Sequence, residues 1–175
     1  KESWISMKEK KAPSIDFITE LLPKSIQTKN HFVKDDPLDK GIRKVLNFGH
    51  TIGHAIETLF MDSDTEVLHG ETVAAGMIAA SYISYKQSGL SQSNLNEITG
   101  FLIQIFDLEF VLWLMSENLA LPLKHDKKNM ESNLKFVLLS DIGEPIYDQN
   151  VSMDLALEAF EFLQGEVEKS SSGSE

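Results

Sequence analysis

Apolar residues recur at helical spacing along most of the chain, and the pattern changes to strand-like alternation only once, near residue 134. Residues 14–22 predict a short amphipathic helix, Pro23 a break, and residues 24–33 a second helix. Asp36 as N-cap, Pro37 at the first helical position and Asp39 in the first turn predict a long helix reaching about Leu59. Residues 69–87 are apolar or small nearly all round, which suits a helix packed between others, and Gly89 closes it. Further helices are predicted over 93–106 and 107–121, with Asp107 as cap and Pro122 as stop. Residues 134–139, a turn through 141–143 and residues 145–147 read as a small β-hairpin, after which Ser152 caps a last helix to about Glu168. With no internal repeat and no second-domain linker, the expectation is a mainly α fold: one helical domain over residues 1–165 with a single β-hairpin, then a disordered Ser-rich tail over 166–175.

One predicted helix carries a polar stripe where its neighbours are apolar. Arg43, Asn47, His50 and His54 follow at steps of four, three and four. At about 100° per residue they fall within roughly 60° of one another on one face. Unpaired buried polar groups are costly, so a ligand or metal is the expected partner. Gly41, Gly49 and Gly53 lie inside the same predicted helix, each costing about 1 kcal/mol relative to alanine, and they predict a very close neighbour.

His69 opens the next helix, and a helix-loop-helix would bring it beside His50. Two imidazoles at i, i+4 are also compatible with hydrogen-bonded core residues; a third imidazole shifts the balance toward metal. Glu57, Glu66 and Glu71 are local candidates for a further ligand, although Glu71 equally suits the first turn of its helix. Thr51 stands where the metalloprotease helix motif has its glutamate, which argues against that chemistry. The chain has no cysteine, so a metal would be held by histidine and carboxylate.

Charge narrows the partner class. The net charge of -11 is spread along 175 residues with no basic block, which argues against nucleic acid and against an anionic membrane surface. No apolar run of about 20 residues and no leader pattern is visible, so a cytoplasmic, membrane-free chain is expected. Lys29 and the cluster around Lys127 and Lys128 would by default be solvated surface charge. Arg43 differs, because it shares the stripe with Asn47 and the imidazoles, where a guanidinium suits bidentate capture of a carboxylate or phosphate. An anionic small molecule fits this set.

Four blocks in order carry a family resemblance: residues 44–57, containing Asn47-Phe-Gly-His-Thr-Ile-Gly-His54; residues 68–77, beginning Leu68-His-Gly-Glu71; His125-Asp-Lys-Lys-Asn129; and residues 136–143. They resemble the C-terminal domain of 3-dehydroquinate synthase, a sugar-phosphate cyclase whose helical domain is related to that of the metal-dependent polyol dehydrogenases. The resemblance covers about residues 15–163 and implies a lyase of the shikimate pathway of aromatic amino-acid biosynthesis. Such an enzyme converts 3-deoxy-D-arabino-heptulosonate 7-phosphate to 3-dehydroquinate and phosphate, using NAD and a divalent metal, zinc or cobalt.

The resemblance assigns roles residue by residue. His50 and His69 match the imidazole metal ligands, while His54, one turn further along, belongs to the phosphate end and is expected to stand apart from them. Lys29 and Arg43 match groups at the substrate carboxylate, Asn47 a group at the phosphate, and one of Lys127 or Lys128 a phosphate-side lysine. Arg43, Asn47 and His54 are thus the expected catalytic set. Asp39 replaces a glutamate of the family pattern four residues before the arginine. The family's third metal ligand, a glutamate in a Glu-x-x-Lys element, belongs upstream of residue 1, and nothing here resembles its Gly-rich NAD-binding domain. The expectation is therefore half of a site, partnered by an N-terminal NAD-binding domain, homodimeric when full length and inactive as this chain alone. Alternatives are another sugar-phosphate cyclase, a metal-dependent polyol or alcohol dehydrogenase, or a non-enzymatic helical interaction module whose stripe is a satisfied polar network.

Overall fold

The structure, a computed structural model, describes residues 15–61, 63–125 and 134–172. The chain divides into two compact units at Leu46/Asn47, where the sequence predicts a single domain. The first unit is built on α1, Ile15–Asp35. Pro23 does not break it: the proline sits inside one continuous helix, although it has no N–H to give to the preceding turn. Asp36 then ends the helix, its carboxylate accepting the backbone N–H groups of Lys40 at 3.0 Å, Gly41 at 2.7 Å and Arg43 at 3.2 Å. It caps a 3₁₀ turn, Ile42–Asn47, rather than a long α-helix.

The second unit contains α2 (His50–Phe60), α3 (His69–Gln87), α4 (Gln92–Ile105), two 3₁₀ turns (Glu109–Trp113 and Ser116–Leu119), α5 (Ala120–His125), the strands β1 (Leu134–Asp141) and β2 (Glu144–Val151), and α6 (Met153–Ser172). α3 lies at the centre and packs against α2, α4, α6 and β1. Its small residues, among them Ala74, Ala75, Gly76, Ala79 and Ala80, are buried, so neighbouring elements approach on several sides. Ser91 caps α4 by accepting the Asn94 N–H at 3.1 Å. The hairpin is antiparallel, pairing Leu134 with Val151 and Asp141 with Glu144, and Gly143 turns it at φ 86°. Leu139 N–H donates to the buried Ser84 hydroxyl at 2.9 Å, tying β1 to α3.

Two further predicted elements differ from those observed. The helix expected over 107–121 is two 3₁₀ turns and the start of α5; Leu108, not Asp107, is the N-cap of the first turn, and Asp107 accepts the Glu109 N–H at 3.2 Å from one residue before it. Pro122 lies in the first turn of α5 instead of stopping a helix, a place where the missing N–H had no intrahelical partner to lose. The last helix runs on through Ser172, so residues 166–172 are helical where a tail is predicted. Val167 is buried and the Ser171 hydroxyl donates to Glu109 at 3.0 Å, which gives these turns tertiary contacts that their composition does not show.

α3 and α6 are joined by a polar contact with a pH signature. Tyr82 Oη and Lys86 Nζ donate to the same oxygen of Glu158, at 2.6 and 3.0 Å, and the Tyr82 ring stacks on Phe162 at 4.5 Å. The Tyr82 hydroxyl, then Lys86, holds the Glu158 carboxyl below its ordinary value, while the hydrogen bond to Glu158 pushes both donors up. A lowered carboxyl stabilises above its ordinary 4.5 and loses that contribution as pH falls; raised donors stabilise below about 10 and lose it as pH rises. Glu158→Gln is expected to melt below the wild type near neutral pH, with the gap closing as pH drops below about 4.5. A gap that stays constant across a melting series from about pH 7 to about pH 3 refutes the coupling.

Candidate metal and substrate site

The polar stripe does not lie on one helix. Arg43 and Asn47 sit on the 3₁₀ turn, His50 opens α2, and Gly49 stands between them at φ 83°, a left-handed conformation that ends one element and starts the next. That break serves the crossing of α2 over α3. A Cβ on Gly76 would overlap the Gly49 carbonyl oxygen and lie 2.7 Å from the Gly53 nitrogen; one on Gly53 would lie 2.9 Å from the Thr72 carbonyl oxygen. Gly49, Gly53 and Gly76 therefore let two backbones touch, the close approach expected at Gly49 and Gly53; a Cβ on Gly41 would meet only the Asp36 side chain, at 3.7 Å.

The crossing carries His50 and His54 to the N-terminal end of α3, where His69 is the first residue. Ring centroids are 5.2 Å apart for His50 and His54, and 5.7 Å from each of them to His69. One ligand nitrogen from each ring lies within 4.8 Å of the other two. His54 thus does not stand apart from the pair, because i and i+4 side chains on one helix face are neighbours. Tetrahedral zinc bonds of about 2.0–2.1 Å place neighbouring nitrogens about 3.4 Å apart, so roughly an ångström of side-chain convergence would complete ligation. Three imidazoles and no thiolate suit zinc or another borderline divalent ion.

The three rings differ in how they are held. His69 Nδ1 lies 3.1 and 3.2 Å from the two oxygens of Glu57, and His50 Nδ1 lies 3.3 Å from the Phe48 carbonyl oxygen. His54 has no ring-nitrogen partner of this kind among the described residues and is exposed. Burial of the half-buried His50 pushes its pKa down, outweighing the Phe48 carbonyl, and the neighbouring imidazoles push the same way; the ring is kept in the neutral form that a metal needs. Of the other candidate acids, Glu71 caps α3 by accepting the Leu68 N–H at 3.0 Å, and Glu66 is exposed.

Beside His54 lies a cavity of about 490 Å³ lined by Thr51, Ala55, Thr58, Leu59, Asn118, Leu121 and Pro122 along with His54 itself. Thr51 and Thr58 follow from the sequence, three before and four after His54 on the same face; Asn118 comes from a distant 3₁₀ turn with no local signal. Asn47 is half-buried. Lys29 and Arg43 belong to the first unit: Lys29 is exposed on α1, and Arg43 Nη1 donates to the Pro37 carbonyl at 3.4 Å. Asp39 adopts φ 53°, and its Oδ1 is buried with no hydrogen-bond partner among the described residues. Lys127 and Lys128 lie outside the described residues.

A family model described as 3-dehydroquinate synthase C-terminal matches residues 2–129. The chain belongs to this family. Among curated relatives, a 3-dehydroquinate synthase of Parabacteroides distasonis is 34% identical over 148 residues, covering 85% of this chain and 42% of the relative. One from Streptococcus pneumoniae is 40% identical over 128 residues, covering 72% of this chain and 35% of the relative. The chain thus spans about two-fifths of the length of such relatives. Among solved structures, 2-deoxy-scyllo-inosose synthase complexed with carbaglucose-6-phosphate, NAD⁺ and Co²⁺ matches with TM-score 0.60 and 30% identity over 70% of this chain and 34% of that one. The 2-epi-5-epi-valiolone synthase ValA from Streptomyces hygroscopicus, with NAD⁺ and Zn²⁺ bound, matches with TM-score 0.66 over 86% of this chain and 41% of that one; at 17% identity it speaks for the fold alone. The helical domain with its hairpin is the fold of this 3-dehydroquinate synthase C-terminal domain, and no described helix is long and apolar enough to cross a membrane.

Proposed function

We propose that this domain is the metal- and substrate-binding half of a 3-dehydroquinate synthase, acting with an NAD-binding domain on a seven-carbon acid phosphate. The observation that carries the reading is the convergence of His50, His54 and His69 on one point of a domain of this family. His50 and His69 would hold the divalent metal through Nε2, the nitrogen each keeps opposite its occupied Nδ1. When bound, that ion supplies Lewis acidity to a substrate hydroxyl. His54, next to the metal pair but without their Nδ1 acceptors, is suited to hydrogen-bond the phosphate, and Asn47 offers an amide to the same group. Arg43 and Lys29 would bind the substrate carboxylate, and a lysine of the 127–128 pair the phosphate.

A second reading is supported by the 30% identical inosose synthase: another sugar-phosphate cyclase whose substrate lacks the carboxylate. Phosphate release separates the two. The domain joined to the NAD-binding domain of its Parabacteroides relative is expected to release phosphate from the seven-carbon acid phosphate in the presence of NAD and zinc or cobalt. A sugar phosphate without the carboxylate is expected to react poorly, and the 175-residue chain alone not at all. Preference for the carboxylate-free substrate establishes the second reading. Release by the chain alone, free of contaminating enzyme, shows that the NAD site has been assigned to the wrong domain.

A further inference from the structure

We infer that Glu57 is a positioning residue for the metal centre: it fixes His69 in the tautomer protonated on Nδ1 and aims Nε2 at the point shared with His50. The inference rests on the metal reading above and extends it to a residue outside the ligand set. Three observations carry it. Both Glu57 oxygens sit at 3.1–3.2 Å from one nitrogen, His69 Nδ1. A carboxylate oxygen accepts, so the ring nitrogen is the donor and, in the single-proton ring, Nε2 is the nitrogen left for a metal. Glu57 also continues the histidine spacing on α2, three residues after His54 and seven after His50, so one rigid helix places two imidazoles and the group that orients the third.

The contrast with the other rings sharpens the assignment. His50 has the same arrangement with a backbone carbonyl as acceptor, whereas His54 has neither kind of acceptor among the described residues. Metal-bound imidazoles nearly always donate their second N–H to a carboxylate, a carbonyl or water, and loss of that partner typically costs 10–100-fold in affinity or activity. Glu57 touches His69 at Nδ1 and is not a member of the three-histidine cluster, which suits an orienting group and not a ligand.

The test uses the 175-residue chain and two readouts. In the metal-free protein, ¹⁵N spectra of labelled histidine are expected to show His69 protonated on Nδ1, with the Nε2–H form appearing in Glu57→Ala. In zinc titration against a competing chelator, Glu57→Ala is expected to bind about 10–100-fold more weakly, with a changed Co²⁺ visible spectrum. Glu57→Gln, which keeps an acceptor oxygen, is expected to recover part of that loss. Glu66→Gln removes a nearby charge without touching His69 and is expected to stay within about twofold of the wild type. An Nε2–H His69 in the wild type, unchanged affinity in Glu57→Ala, or equal losses at positions 57 and 66 overturns the inference. If Glu57→Ala does not fold, the wild-type tautomer and Glu57→Gln decide. Failure of the wild type to take up zinc counts against the metal reading, while the His69 tautomer still decides the role of Glu57.

Discussion

Gly76→Ala is expected to lower the melting temperature by roughly 10 °C and to weaken zinc binding together with it. The added methyl has nowhere to go: it would overlap the Gly49 carbonyl oxygen and crowd the Gly53 nitrogen, and both are backbone atoms that cannot swing aside. Separating α2 from α3 to admit it costs about 3 kcal/mol, the upper range for overpacking a core, which at about 3–4 °C per kcal/mol for a domain of this size gives the stated shift. The same separation pulls His50 and His54 away from His69, since the first two ride on α2 and the third opens α3. Gly100→Ala is the control. A Cβ on Gly100 meets nothing within 4 Å, and the residue lies inside α4, so alanine there is expected to be neutral or to add up to about 1 kcal/mol. Equal destabilisation by the two variants refutes the proposed crossing.

Removing either of the imidazoles proposed as metal ligands, His50 or His69, is expected to have the largest effect on ligand binding. His50→Ala and His69→Ala should each reduce zinc affinity by about a hundredfold or more, because a site with few protein ligands loses one outright. His54→Ala should stay within about tenfold in zinc affinity while lowering phosphate release in the protein that carries the NAD-binding domain. Proximity alone does not predict this split, for all three ring nitrogens fall within 4.8 Å of one another. The Nδ1 partners do: Phe48 behind His50, Glu57 behind His69, and no counterpart for His54 among the described residues. Zinc lost from His54→Ala as completely as from His69→Ala would make His54 a third ligand and end the division of roles.

Some of the site was legible in advance and some was not. The i, i+4 spacing of His50 and His54 puts them on one face of any helix, and the all-round small residues of 69–87 call for a buried helix with His69 at its start. The glycine cluster signals a close backbone approach, and Gly49 and Gly53 make it with Gly76. The predicted helix fails at residue 49. Periodicity counts angles and does not see a single left-handed residue, so it groups Arg43 and Asn47 with the histidines on one helix, whereas Gly49 separates them.

Local chemistry fixed the elements whose information is local: the Ser152 cap, the Gly143 turn, the buried character of α3 and the pairing of histidines along α2. Each depends on side chains a few residues apart, where spacing and capping preferences act directly. Tertiary packing decided the rest. Helix α6 extends through Ser172 because Val167 is buried and Ser171 reaches Glu109. Residues 107–121 break into 3₁₀ turns, with Leu119 buried and Asn118 beside the cavity at His54. The meeting of His69 with Glu57 also belongs to this second class, since the two residues are twelve apart and stand on different helices that pack together at the glycines. Sequence periodicity specifies which face of a helix is polar; only the approach of a second backbone determines which polar groups on that face come within bonding distance of those on another.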